Sequence, residues 1–208
     1  MLIRMRQVRS SQSDLPPVLA YFQQQASAYA TASATGLWAW QRRREAAALA
    51  GEVKGRAALD LGCGAGFYAV RLADTGAHPV VAVDASRAML AAITDPRITT
   101  VVGDAATVTL DRRFQLVLLA GLLEFVADPI AVLANARRHL EPGGRVVALV
   151  PPDNFAGRLY RRFHRRHGFA IALFDRPRFA LVAEQAGLVL LRSQVVFPFG
   201  DVHAMAAR

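Results

Sequence analysis

The chain has 208 residues, 53% hydrophobic and 20% charged, with a formal net charge of +9. That length suits one well-buried domain and is short for two, and the balance of apolar to charged residues excludes a disordered chain. A single cysteine, Cys63, excludes an intramolecular disulfide and a cysteine-based zinc cluster.

Residues 1–14 are polar and basic and read as a frayed end. Pro16-Pro17 opens a helix over about Val18–Ser33, since proline is tolerated in a first turn, and a second helix follows over Leu37–Leu49. The pattern then alternates. Ala57–Leu61 is a short apolar strand, Ala65–Ala73 a helix stopped near Gly76, and Pro79–Val83 a second strand. A short helix over Ser86–Ile93 precedes a third strand at Ile98–Val102 and a fourth at Phe114–Leu119. Asp128-Pro129 caps a helix to about Leu140, with Asp at the N-cap and Pro at the first position. The turn Pro142-Gly143-Gly144 leads to a fifth strand, Arg145–Val150. A basic helical insert follows, then a helix from Asp175 to about Ala186, and strands at Leu188–Phe197 and Val202–Ala207 whose closeness makes the last one antiparallel. Strands alternating with helices imply a parallel sheet covered on both faces.

No apolar run approaches the roughly 20 residues that span a bilayer; the longest, Leu116–Ala127, carries Glu124. The N-terminus Met1-Leu-Ile-Arg-Met-Arg6 lacks the apolar core of an export signal, so the expected location is the cytoplasm. Lys54 is the only lysine, so the positive charge is almost all arginine. A basic surface attracts nucleic acid, anionic membrane or acidic small molecules, and charge alone does not choose among them.

The informative segment is Leu59-Asp-Leu-Gly-Cys-Gly-Ala-Gly66, between a strand and a helix. Glycines there let the backbone turn tightly and approach a ligand, and in an open α/β sheet the loop lies at the ligand-binding edge. A dinucleotide loop reads G-x-G-x-x-G and faces a pyrophosphate. Here the sixth position counted from Gly62 is Phe67, and Asp60 stands just before the glycines. That carboxylate suits a cationic ligand end better than a phosphate. Singly, Asp60, Asp84 and Asp104 each also fit a turn or a helix cap. Three carboxylates at three successive strand ends make that reading unattractive for the set.

Asp60-Leu-Gly-Cys-Gly-Ala-Gly66 resembles the first motif of the class I S-adenosylmethionine-dependent methyltransferases. Val83-Asp84-Ala-Ser86 resembles the acidic end of that family's second strand, and Gly103-Asp104-Ala105 the turn after its third. Phe114–Ala120 resembles its fourth strand and Leu140–Arg145 the turn before its fifth, with Gln115 where many relatives carry Asp. The resemblance is strong over about residues 55–150. It implies an α/β fold: a Rossmann-like doubly wound sheet of about seven strands, mostly parallel with an antiparallel final strand, helices on both faces and an N-terminal helical lid. The whole chain 1–208 is then a single domain: lid 1–50, cofactor-binding core 55–150, basic helical insert 151–186, final strands 187–208.

The resemblance implies S-adenosylmethionine as cofactor and S-adenosylhomocysteine as product. The implied binding residues are Tyr29, Asp60, Gly62, Cys63, Gly64, Gly66, Asp84, Ala85, Gly103, Asp104, Ala105 and Ala120. Among these, Asp84 accepts the ribose hydroxyls, Asp104 recognises the adenine amino group, and Tyr29 closes over the cofactor; Cys63 is a small residue that fits the loop, not a nucleophile. The fourth strand is followed by Ala120-Gly-Leu-Leu123, not the Asn/Asp-Pro-Pro-Tyr of many amino-methylating relatives, and no carboxylate cluster there suggests magnesium. The expected activity is therefore metal-independent transfer to a small-molecule acceptor, anionic or carrier-bound. The alternatives are an RNA methyltransferase, favoured by the charge, and a non-catalytic cofactor-binding partner subunit.

A general base is needed only if the acceptor loses a proton; His164, His167 and Glu124 are the candidates. The acceptor pocket is expected between the N-terminal helix, with Tyr21, Phe22 and Tyr29, and the insert Arg158–Gly168. That insert either binds an anionic acceptor, an acidic carrier protein or a membrane surface, or is a solvated basic helix, and the aromatics of the first helix either line the pocket or pack that helix onto the sheet.

Overall fold

The computed structural model describes residues 16–34, 36–50, 53–196 and 200–208, with side chains described throughout these except at 27–34, 36–39 and 49–50. The polar segment 1–14 and the Tyr29 side chain fall outside the described residues.

Two helices, α1 (Pro17–Ala34) and α2 (Gly36–Ala50), precede an alternation of β1 (Ala58–Leu61), α3 (Phe67–Asp74), β2 (Val80–Asp84), α4 (Arg87–Leu90) and β3 (Ile98–Val102). Next come β4 (Phe114–Ala120), α5 (Pro129–Arg138), β5 (Leu140–Val150), α6 (Phe155–Arg166), α7 (Arg176–Gln185), β6 (Leu188–Val196) and β7 (Gly200–Ala207). Four helices are capped by a side-chain oxygen on a free N–H group of the first turn, whereas α3 starts at Gly66 without one. Ser86 serves α4, Asp128 α5, Asn154 α6 and Asp175 α7.

The seven strands form one sheet in the order β3-β2-β1-β4-β5-β7-β6. β1 to β5 run parallel. β7 runs antiparallel to both β5 and β6, so it alone is reversed, as the closeness of the last two strands predicts. β5 starts at Leu140, earlier than the sequence suggests, because Phe114 already pairs with Leu140 before a register shift ahead of Leu116. The order reverses between β1 and β4, and this switch point is where open α/β sheets bind ligands.

Strand residues alternate between two cores, as a period of two requires. Leu59, Leu61, Val83, Val117 and Leu119 face one side, under α5 and α7. Ala58, Ala82, Leu118 and Leu149 face the other, under α2 and α3. Strands buried on both faces explain why the β1, β2 and β4 sequences are nearly continuous apolar runs. Gln115, the departure from the family pattern, is structural: its Oε1 accepts the Ala57 N–H at 2.7 Å and ties the start of β1 to β4. Among the described residues no helix is long and apolar enough to cross a membrane.

Candidate functional site

The carboxyl ends of β1, β2 and β4 build the site. Gly62, Gly64 and Gly66 all have positive φ, at 73°, 53° and 83°. This left-handed backbone is costly for residues with a Cβ, which is why the turn is glycine-rich. Space is also short: a Cβ on Gly62 falls 2.7 Å from the Leu122 side chain and one on Gly66 falls 2.6 Å from Ile93.

Asp60 lies in β1 on the same face as Ala58, beneath α2 and α3, and is fully buried. Neither of its carboxylate oxygens has a hydrogen-bond partner. Burial first, and then the nearby Asp84 charge, push its pKa up to about 7, while the Ala69 N–H, outside full hydrogen-bond geometry, tempers the rise. A buried carboxylate without a partner is costly, so this site calls for a cation, a proton or an ordered water to complete it.

Asp84, at the end of β2, behaves differently. Its Oδ2 accepts the Gly64 N–H at 2.9 Å and its Oδ1 the Ser86 N–H at 2.8 Å. Burial raises its pKa, and these two N–H groups hold the rise down. Asp104 stands exposed after β3, where its Oδ1 accepts the Ala106 N–H at 2.7 Å. Asp84 and Asp104 thus each close a turn as well as presenting a carboxylate; Asp60 does not. Gly103 joins the two acidic turns by donating its N–H to the Asp84 carbonyl at 3.0 Å. Ala105 and Ala120 are half-buried and Ala85 is exposed. The Cys63 thiol is pushed well up by burial and by the Asp60 and Asp84 charges, which keeps it protonated and argues against a nucleophile.

Glu124 follows β4 and is buried, with Oε2 unpartnered and a pKa pushed up to about 8 by burial. Glu45 of α2 adds to that rise from a little further off. Glu45 is itself buried, accepting the Tyr68 hydroxyl at 2.6 Å and the Gln41 amide at 3.0 Å. Sequence reasoning passed over Glu45, Gln41 and Tyr68. The available signal was Gln41, Glu45 and Ala48 at helical spacing in α2, with Glu45 the lone acid after three arginines.

The two expected acceptor walls meet. Tyr21 of α1 lies 5.2 Å, ring to ring, from His167 and 5.3 Å from Phe169, and Phe22 lies 5.2 Å from Phe125, just after β4. Tyr21 and Phe22 therefore pack α1 against α6 and the end of β4. His164 points into the same aromatic cluster, 4.4 Å from Tyr160 and 5.3 Å from Phe125. It is buried, both ring nitrogens lack a partner, and burial lowers its pKa to about 4. His167 is exposed at the end of α6. The structure brings Asp60, Cys63, Gly64 and Asp84 together, while His164 belongs to the separate cluster between α1 and α6.

Known proteins resemble this chain in sequence and in fold. The model of a family described as "Methyltransferase domain" matches residues 59–148. The chain is 42% identical over 98 residues to a cypemycin N-terminal methyltransferase of a Streptomyces species, covering 43% of this chain and 40% of that one. It is 31% identical over 155 residues to a ubiquinone biosynthesis O-methyltransferase of Coxiella burnetii, covering 67% and 66%. It spans less than half the length of several curated relatives that it matches. The solved complex of DhpI with SAH superposes with a TM-score of 0.73 at 21% identity, covering 95% of this chain and 98% of that one.

Proposed function

Because the chain belongs to the class I S-adenosylmethionine-dependent methyltransferases, we propose that it moves the methyl group of that cofactor to a small-molecule acceptor, without a metal. In this reading the whole chain works as one domain, with residues 55–150 holding the cofactor. The observation that carries the proposal is Asp60, a fully buried carboxylate with both oxygens unpartnered beside a glycine turn. A cationic ammonium end satisfies it, whereas a pyrophosphate does not.

The cofactor supplies an electrophilic methyl on a sulfonium. The protein's part is to bind, orient and keep out water. Asp60 takes the ammonium, directly or through water, and is ionised by that cation's approach. The turn Gly62–Gly66 carries the backbone past the ligand, with Asp84 fixing the turn through Gly64 and turning its remaining lone pairs toward the ribose hydroxyls. Asp104, with Gly103 and Ala105, receives the adenine amino group. The acceptor enters beside the aromatic cluster of α1, α6 and Phe125. His164, neutral near pH 7, and Glu124, partly ionised there, are the groups able to take a proton.

The test is isothermal titration with S-adenosylmethionine and S-adenosylhomocysteine, with NADH as control. Micromolar binding of the first two and none of NADH is expected. A folded protein that binds neither adenosyl compound overturns the proposal.

A further inference from the structure

We propose that the outer face of α6 is a docking surface for an anionic lipid bilayer. Four-residue steps place side chains in rows along a helix, and two such rows of α6 face outward. One is apolar: Phe155 is 85% exposed, Leu159 56% and Phe163 50%. The other is cationic: Arg158, Arg162 and Arg166, all exposed, with Arg165 beside them. The inner side is occupied by the buried Gly157 and His164. A Cβ on Gly157 would fall 1.8 Å from the carbonyl oxygen of Pro152, in the segment that leads into the helix, and 3.5 Å from the Leu173 side chain. His164 on the same side packs against Phe125 and Phe169, so that face is the one turned to the body of the protein. The helix cannot turn its apolar row inward.

The sequence alone leaves this segment as a helix basic nearly all round. The structure sorts it into an inner face, an apolar row and a cationic row. α6 contains no acidic residue, and among the described residues only Arg158 of the exposed arginines on this helix is ion-paired, to Asp153 at 2.9 Å. Arg162, Arg165 and Arg166 are left to an outside partner.

A bilayer interface matches this pattern better than an acidic protein does. The apolar row runs for about 12 Å, and Phe155 at its start projects clear of the described residues around it. An in-plane helix buries such a row at the acyl boundary. The arginines keep their stems along the apolar surface and their forked heads on lipid phosphates. β5 ends at Val150 and Asn154 caps α6, so the helix leaves the sheet at the edge that carries the Gly62–Gly66 turn and Asp84. Docking on α6 brings that edge to the lipid surface.

The experiment is co-sedimentation of the full chain with phosphatidylglycerol–phosphatidylcholine vesicles and with pure phosphatidylcholine vesicles. Binding to the anionic vesicles, weakened by salt, is expected. Each arginine near such a surface is worth roughly fivefold in partitioning, so the variant Arg162→Glu/Arg165→Glu/Arg166→Glu should lose roughly a hundredfold or more. The variant Phe155→Ser/Leu159→Ser/Phe163→Ser should lose at least about tenfold. Both variants should keep the wild-type affinity for S-adenosylhomocysteine, which separates lost docking from lost folding. The fluorescent variant Phe155→Trp should shift its emission to the blue on anionic vesicles. Equal binding to neutral vesicles, an unshifted emission from that fluorescent variant, or retention only on an immobilised acidic polypeptide would overturn the proposal, the last assigning the face to an acidic protein instead.

Discussion

The Asp84 carboxylate accepts the Gly64 N–H at 2.9 Å, so the acid at the end of β2 holds the turn that follows β1. A residue read from sequence as a ligand contact is also the clasp of the loop that shapes the site. Replacing it therefore affects ligand and loop together.

Asp84→Ala should weaken S-adenosylhomocysteine binding by more than tenfold and also destabilise the apo-protein by about 1–2 kcal/mol, because the Gly64 and Ser86 N–H groups lose their acceptor. Titration calorimetry and urea unfolding read the two effects. Weakened binding with unchanged stability would show that the clasp contributes nothing.

Gly64→Val places a β-branched residue at a φ of 53°, a conformation costing about 1–2 kcal/mol before any contact with a ligand. Cofactor binding should be abolished while the far core, centred on Phe114 and Leu133, stays folded. Normal affinity in the calorimeter would remove this turn from the site.

Asp60 should make cofactor affinity pH-dependent. Its pKa of about 7 means that the ionised form, which a cation needs, falls away below neutrality. Affinity should drop roughly tenfold between pH 8 and pH 6, and Asp60→Asn should bind weakly with a flat profile. Stability has the opposite sense. The folded pKa lies above the unfolded value of 3.8, so the native state holds the proton longer. Apo-protein stability is lost as pH rises from about 4 to about 7 and stays lost above. Asp60→Asn should then be the more stable apo-protein at pH 8, by on the order of 2–4 kcal/mol. A wild-type affinity flat from pH 6 to 8 would contradict the assignment.

His164 and His203 should weaken the protein in acid. Burial lowers both to about 4 from 6.5, so the unfolded state takes up protons first. The stability they contribute is present above pH 6.5 and is lost as pH falls toward 4. His203 stacks 4.0 Å from Phe179 and shares a 2.9 Å hydrogen bond with the Ser193 hydroxyl, whereas the His164 nitrogens have no partner. His164→Phe should therefore keep neutral-pH stability and flatten the acid limb of the pH profile, as read by urea midpoints. His203→Phe should flatten that limb too, at a cost at neutral pH. If His164 serves as the base, His164→Phe also loses methyl transfer without losing cofactor affinity.

Much of the architecture follows from local chemistry that any sequence displays. Glycines at 62, 64 and 66 stand where left-handed backbone is required, Asp128 and Asp175 where helices begin, and the apolar runs of β1, β2 and β4 where strands are covered on both faces. The order of landmarks from Asp60 to Arg145 carried the family, because a cofactor-binding turn and its strand ends are contiguous segments with fixed spacing.

What tertiary structure alone decided are the matters set by distant residues. Glu45 and Tyr68 become partners only when α2 lies over α3. Asp60 has no partner while Asp84 has two, a difference of surroundings between residues of identical type. The exposed row of Phe155, Leu159 and Phe163 appears only once Gly157 and His164 fix which face of α6 turns inward. Turns, caps and periodicity are local and written in neighbouring residues. Burial and desolvation are properties of the packed chain, and they set the charge state of Asp60, Glu124 and His164.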